Sequence, residues 1–181
     1  AQQSLVWKKR IRLATAGKLG GNQRGFAMKV LIVSDTHGKG NTLDEVLLRE
    51  TPFDALIHCG DVEGQEDYLE AALDCPAYIV AGNNDFFSDL DRELEIDLAG
   101  TRVLITHGHN YGVSLDPAEL IDEAASRGIS VVLFGHTHKP VILRRGNVTA
   151  VNPGSLSYPR QEGRTPSYAV LNIDRQGKIS F

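Results

Sequence analysis

Ten short apolar runs punctuate the chain, at residues 29–34, 55–59, 77–81, 93–98, 102–106, 131–134, 141–144, 148–151, 168–173 and 178–181. Their brevity and their content of Val, Ile and Leu predict β-strands rather than helices. Helical stretches fill the early gaps. Thr42 with Glu45 three residues on has the form of a capping box ahead of Val46-Leu47-Leu48, and a second helix is predicted over 65–73. Asp116-Pro117 with Glu119 opens a third, which Gly128 closes. Strands alternating with helices imply a layered α/β fold. After Val131 the strands succeed one another without a helix, so the second half is expected to add antiparallel strands or to build a second sheet. The expected architecture is therefore two sheets flanked by helices, with hairpin turns at Gly146-Asn147 and over 174–177.

The strand pattern begins only at Met28, the one methionine in the 181 residues. Upstream, residues 1–27 carry Lys8, Lys9, Arg10, Arg12, Lys18 and Arg24 and no acidic residue. That composition resembles an organellar transit peptide, but an opening of Ala1-Gln2-Gln3 fits an appended or processed leader better. The expectation is a disordered leader over 1–27 and a single domain over 28–181, a length that suffices for one sizeable core.

Composition narrows the class. No apolar run approaches the roughly 20 residues that a membrane span needs. Cys59 and Cys75 are too few for a disulfide scaffold and form no CxxC pair, which points to a reducing, cytoplasmic setting. The net charge of −4 conceals a body at −10 once the six cations of the leader are set aside. Such a body gives no electrostatic reason for nucleic-acid binding, although an acidic pocket loaded with cations still accepts phosphate. Self-association stays open.

The chemistry gathers at the ends of the apolar runs. Asp35-Thr36-His37 follows the first, Gly60-Asp61 the second, and Gly82-Asn83-Asn84-Asp85 the third. His107-Gly108-His109 follows the fifth and Gly135-His136-Thr137-His138 the sixth. In open α/β sheets the carboxyl ends of strands line a common crevice, so these tips can converge although about a hundred residues separate the outermost. The neighbouring glycines allow tight turns and close approach of backbone to an ion. Carboxylate, amide oxygen and imidazole without thiolate suit manganese, nickel, iron or zinc. Asp35, His37, Asp61, Asn83, His107, His136 and His138 make seven candidate ligands, more than one tetrahedral ion uses and enough for two ions that share a carboxylate.

In their order, Asp35-x-His37, Gly60-Asp61, Gly82-Asn83-x-Asp85, His107-Gly-His109 and Gly135-His136-x-His138 resemble the motifs of the calcineurin-like metallophosphoesterase superfamily. The compact length and Asn152-Pro153-Gly154-Ser155 resemble its small prokaryotic phosphodiesterases. The resemblance implies a β-sandwich flanked by helices. It implies that Asp35, His37 and His138 hold one metal ion, that Asn83, His107 and His136 hold another, and that Asp61 bridges them. Manganese is the first expectation for both ions. The implied activity is hydrolysis of a small phosphate ester by in-line attack of a hydroxide held between the ions. Many members of the superfamily carry histidine where this chain has Asn84, and that histidine assists the leaving group. An amide does not donate a proton in that way, which favours diesters or activated esters and leaves His109 as the alternative proton donor. A retromer subunit of the same superfamily serves chiefly as a protein-interaction scaffold, which is the competing expectation.

Several residues carry both a structural and a functional reading. His58 lies inside a strand run and is expected in the core. His109 reads equally as a proton donor, a phosphate contact or a hydrogen-bond anchor. Asp85 reads either as a partner that orients a metal-bound histidine or as a turn residue. Glu63 reads as part of a solvated loop. Beyond the turn at Asn152-Pro153-Gly154, Ser155 and Arg160 are candidate phosphate contacts.

Overall fold

The computed structural model describes residues 26–181. Ten strands are present among them: β1 (Phe26–Val33), β2 (Ala55–His58), β3 (Ala77–Ile79), β4 (Glu93–Leu98), β5 (Thr101–Thr106), β6 (Val131–Leu133), β7 (Val141–Arg145), β8 (Val148–Asn152), β9 (Ala169–Asp174) and β10 (Ile179–Ser180). The helices are α1 (Asn41–Glu50), α2 (Glu66–Ala72) and α3 (Ala118–Ser126). Of the leader expected over 1–27, residues 1–25 lie outside the described residues. Strand β1 starts two residues ahead of Met28, because Phe26 already pairs with Asp174 across an irregularity in the β1/β9 ladder.

The strands form two mixed sheets of five, in the orders β10-β9-β1-β2-β3 and β4-β5-β6-β8-β7. In the first, β1, β2 and β3 are parallel, and β9 and β10 add antiparallel strands at one side. In the second, β5, β6 and β8 are parallel while β4 and β7 run antiparallel at the edges. Both of the expected outcomes for the second half therefore occur together.

Alternation along the strands builds the layers. Val30 and Ile32 face the inter-sheet core with Ile57, Val103, Ile105, Val131 and Leu133. Leu31 and Val33 face outward onto Leu43, Val46 and Leu47 of α1 and Leu69 of α2. On the far side Leu104, Val132 and Ala150 pack against Leu120, Ile121 and Ala124 of α3. The result is a sandwich of two sheets with helices on both outer faces, and its parallel strands present their carboxyl ends at one edge.

Helix boundaries correct one expectation. Helix α1 begins at Asn41 with Gly40 as its cap and no side-chain capping bond, so Thr42 and Glu45 form no capping box. Helix α3 follows its predicted course: the Asp116 carboxylate accepts the Ala118 N–H at 2.9 Å, and Gly128 ends the helix at φ +68°. Among the described residues no helix is long and apolar enough to cross a membrane.

Candidate metal centre

The loops that leave the parallel strands continue the sheet hydrogen bonding before they diverge. Asp35 N–H donates to the Gly60 carbonyl at 3.0 Å and His37 N–H to the Asp61 carbonyl at 2.9 Å, which fastens the β1 tip to the β2 tip. In the other sheet Gly135 N–H donates to the His107 carbonyl at 3.2 Å. The sheets are tied together across the edge. The buried His107 Nδ1–H donates to the Cys59 carbonyl at 2.7 Å, and His136 N–H donates to Asp35 Oδ2 at 3.2 Å.

The candidate ligands themselves carry the tight turns. Asp35 (φ 53°), His37 (φ 48°), Asp61 (φ 54°), His136 (φ 67°) and His138 (φ 58°) all adopt left-handed backbone, sparsely populated by residues with a Cβ. The turns expected of the neighbouring glycines are thus partly made by the ligating residues. What the glycines supply is space: a Cβ on Gly82 would lie 2.1 Å from Asp61 Oδ1, and one on Gly135 would lie 2.1 Å from Ser34 Oγ.

All seven candidate ligands meet at this edge. Ligand atoms of Asp35, His37, Asp61 and His138 lie within 4.8 Å of one another. Beside them, Asn83 Oδ1 lies 3.1 Å from His107 Nε2 and 2.9 Å from His136 Nδ1. Asp61 stands between the two groups, with Oδ2 3.8 Å from His37 Nε2 and 3.5 Å from His107 Nε2.

Hydrogen bonds behind the rings set their orientation. His138 Nδ1 faces the Tyr158 carbonyl at 2.7 Å, and a carbonyl only accepts, so in the neutral ring the proton sits on Nδ1. The same reasoning places a proton on His107 Nδ1 against Cys59 and on His37 Nδ1 against Glu63 Oε1 at 2.7 Å. All three Nε2 atoms point inward. His37 Nε2 and His138 Nε2 are 3.4 Å apart, and His138 Nε2 is 3.1 Å from Asp35 Oδ1, a buried oxygen without a hydrogen-bond partner. Imidazole nitrogens and carboxylate oxygens this close repel unless protons or cations come between them. Buried carboxylates with imidazoles oriented from behind fit divalent metal ions.

The rings and the carboxylates also act on one another through charge. Burial alone would lower the pKa of His107, but the adjacent Asp61 and Asp35 carboxylates outweigh it and hold the imidazole above its ordinary value. Burial would raise that of Asp61, yet the hydrogen bond and charge of His107 and the donors of Asn84 hold its carboxyl below the usual range. His136 is pushed down by burial and by His107. His109 is pushed down by burial, His107 and Arg92, which favours its neutral form.

The remaining candidates separate. His109 sits half-buried beside the centre, its ring 5.4 Å from that of His107 and 6.1 Å from that of His136. Asn84 donates its N–H to Asp61 Oδ1 at 2.9 Å and its amide to Oδ2 at 2.7 Å. Asp85 orients no histidine: its carboxylate accepts the N–H groups of Val62, Glu63 and Gly82 and staples the β2 loop to the β3 loop. Glu63 lies exposed in a loop, as expected, and its carboxylate also fixes the His37 ring. Ser155 is fully buried with its hydroxyl on the Asp35 carbonyl at 2.8 Å, so it is a brace and not a phosphate contact. Ser157 braces the same carbonyl at 2.8 Å, and Ser34 Oγ donates to Asp35 Oδ2 at 2.6 Å.

His58 lies in the core as expected, 2.9 Å from Thr36 Oγ1, and burial brings its pKa down to about 4. The unfolded chain takes up this proton near pH 6.5 and the folded chain only near 4. Stability from this group is complete above pH 6.5 and is lost as pH falls towards 4, at about 1.4 kcal/mol per pH unit. Urea unfolding of metal-free protein between pH 6.5 and 5 is expected to show a shallower slope for His58→Asn than for the parent. Equal slopes would mean that His58 is protonated in the fold.

Comparison with known proteins follows the same line. Residues 28–176 match the model of the calcineurin-like phosphoesterase superfamily domain. The chain is 38% identical over 149 residues to Probable metallophosphoesterase YsnB of Bacillus subtilis, covering 81% of this chain and 85% of that one. It is 28% identical over 171 residues to Phosphodiesterase YfcE of Escherichia coli, covering 81% and 89%. A solved structure from Streptococcus pneumoniae, described as a predicted phosphoesterase, superposes with a TM-score of 0.71 at 31% identity over 81% of this chain and 83% of that chain.

Proposed function

We propose, from the premise that this chain belongs to the calcineurin-like phosphoesterase superfamily, that it hydrolyses phosphate esters with two divalent transition-metal ions and prefers diesters. The observation that carries the reading is the inward convergence of the imidazole Nε2 atoms of His37, His107 and His138, and of Asp35 Oδ1, buried without a hydrogen-bond partner, around Asp61. In this reading Asp35, His37 and His138 hold one ion, Asn83, His107 and His136 hold the other, and Asp61 is shared. Manganese is the first choice, with nickel, iron and zinc compatible with the same donors. When bound, the ions would polarise the phosphoryl oxygens and bring the pKa of water from 15.7 towards about 7.

The protein's own groups position and balance charge. Glu63 and the carbonyls of Cys59 and Tyr158 hold the three histidine rings, and Asn84 holds both oxygens of Asp61. Asn84 has no proton to give a departing alkoxide, and His109 is biased towards its neutral form. Both features favour substrates whose leaving group departs without a proton donor. The reading includes a reducing compartment, in line with the free thiols of Cys59 and Cys75, which burial pushes up, that of Cys75 to about 11.

Metal-stripped protein supplied with Mn²⁺ is expected to hydrolyse bis(p-nitrophenyl) phosphate faster than p-nitrophenyl phosphate. Asn84→His is expected to raise the monoester-to-diester ratio by about tenfold or more, as an added general acid would. An unchanged ratio would pass the role of proton donor to His109. Full metal occupancy without turnover of either ester would instead favour a scaffold.

A further inference from the structure

On the His37 and His138 side of the centre, a cavity of about 560 Å³ opens directly from the two imidazoles and is walled by Tyr158, Arg160 and Arg164. Its volume lies within the range of small-molecule sites and far exceeds that of a single phosphate group. The charge on its walls is unusual for this molecule. The body carries a net −10, yet Arg160 and Arg164 have no carboxylate within 4.0 Å among the described residues, whereas Arg102 and Arg127 are each tied to acidic partners. A third cation, Lys39, rests with Nζ 3.8 Å from the centre of the Tyr158 ring. The segment that carries the arginines is anchored to the centre: Arg160 N–H donates to the His138 carbonyl at 3.0 Å, and the Tyr158 carbonyl accepts from His138 Nδ1. Two guanidiniums without counter-ions at the mouth of a candidate metal site are suited to a phosphate held by paired hydrogen bonds.

We infer that this cavity is a subsite for a second phosphate on the substrate, remote from the one that is hydrolysed, and that Arg160 and Arg164 select for it. The inference rests on the proposed phosphoesterase reading and narrows its substrate class to esters with an additional terminal phosphate, such as nucleoside bisphosphate derivatives. The arginines would act on substrate affinity, while the ligands around Asp61 act on the ester that breaks.

Calorimetric titration of the full chain with Mn²⁺ present, using thymidine 3′,5′-bisphosphate and thymidine 5′-monophosphate, tests this by affinity, and chromatography of the nucleotides after each titration checks that they are intact. The bisphosphate is expected to bind about tenfold more tightly, and the double variant Arg160→Gln/Arg164→Gln to reduce that preference to less than twofold. Both side chains are exposed, so the variant should fold, and circular dichroism checks this. Equal affinity of the two nucleotides for the parent, or a preference that survives in the double variant, would overturn the subsite. Hydrolysis of bis(p-nitrophenyl) phosphate by the same preparations keeps the two readings apart. Turnover with no bisphosphate preference removes the subsite alone. A preference that depends on the arginines without turnover keeps the phosphate site and removes the enzymatic reading.

Discussion

Replacing Asp61 by alanine is expected to lower metal-dependent diester hydrolysis on the order of 10³-fold or more, with loss of bound metal. The carboxylate stands between the two ligand groups, 3.8 Å from His37 Nε2 and 3.5 Å from His107 Nε2, and its two oxygens also receive Asn84. Alanine removes a donor from both sides at once and leaves the Asn84 donors without their acceptor. It also takes away one of the two carboxylates that hold His107 above its ordinary pKa, so apparent metal affinity should fall through weaker ligation rather than through proton competition at His107. Metal content by elemental analysis and diester kinetics on one preparation check the prediction. A variant that retains both metal and rate would show that Asp61 is not shared.

Gly82→Ala is expected to be nearly as damaging although glycine ligates nothing. Its Cβ would sit 2.1 Å from Asp61 Oδ1 and 2.3 Å from the Asp61 backbone nitrogen, distances that no relaxation of a flexible side chain absorbs. The β3 loop must then withdraw, carrying Asn83 and Asn84 away from His107 and Asp61. Overpacking of this kind costs about 1–3 kcal/mol in stability, and an ångström of misplacement costs about 100-fold in rate. Gly40→Ala is the matched control, since its Cβ meets nothing nearer than 3.7 Å. Equal behaviour of the two variants, in thermal unfolding and in rate, would mean that the contact between the β2 and β3 loops is dispensable.

The strands were legible because short Val, Ile and Leu runs bounded by Gly, Asp and Asn admit few alternatives to a buried strand. Their common edge was legible because parallel strands present their carboxyl ends together. The pairing of β6 with β8 past the β7 hairpin was not, since it depends on which strand fills the position beside β6 and no local pattern encodes that. Within the site, Asp35-x-His37 and His136-x-His138 stood out by residue type and by their glycine neighbours. The left-handed backbone of Asp35 and His37 did not, because it goes with hydrogen bonds to distant residues: their N–H groups donate to the Gly60 and Asp61 carbonyls, and Ser155 and Ser157 donate to the Asp35 carbonyl. Glu63 escaped for a related reason: Glu63-Gly64 has the composition of a solvated turn, and only the fold brings its carboxylate to His37, 26 positions away. Asp85 was ambiguous because its value lies in three backbone N–H groups, and backbone donors leave no mark in a sequence.

The most direct test of a paired metal centre is the anomalous scattering of manganese in crystals of the full chain grown with Mn²⁺. Two peaks about 3.5–4 Å apart are expected, with Asp61 in contact with both. A single peak, or manganese bound away from Asp61, would contradict that pairing.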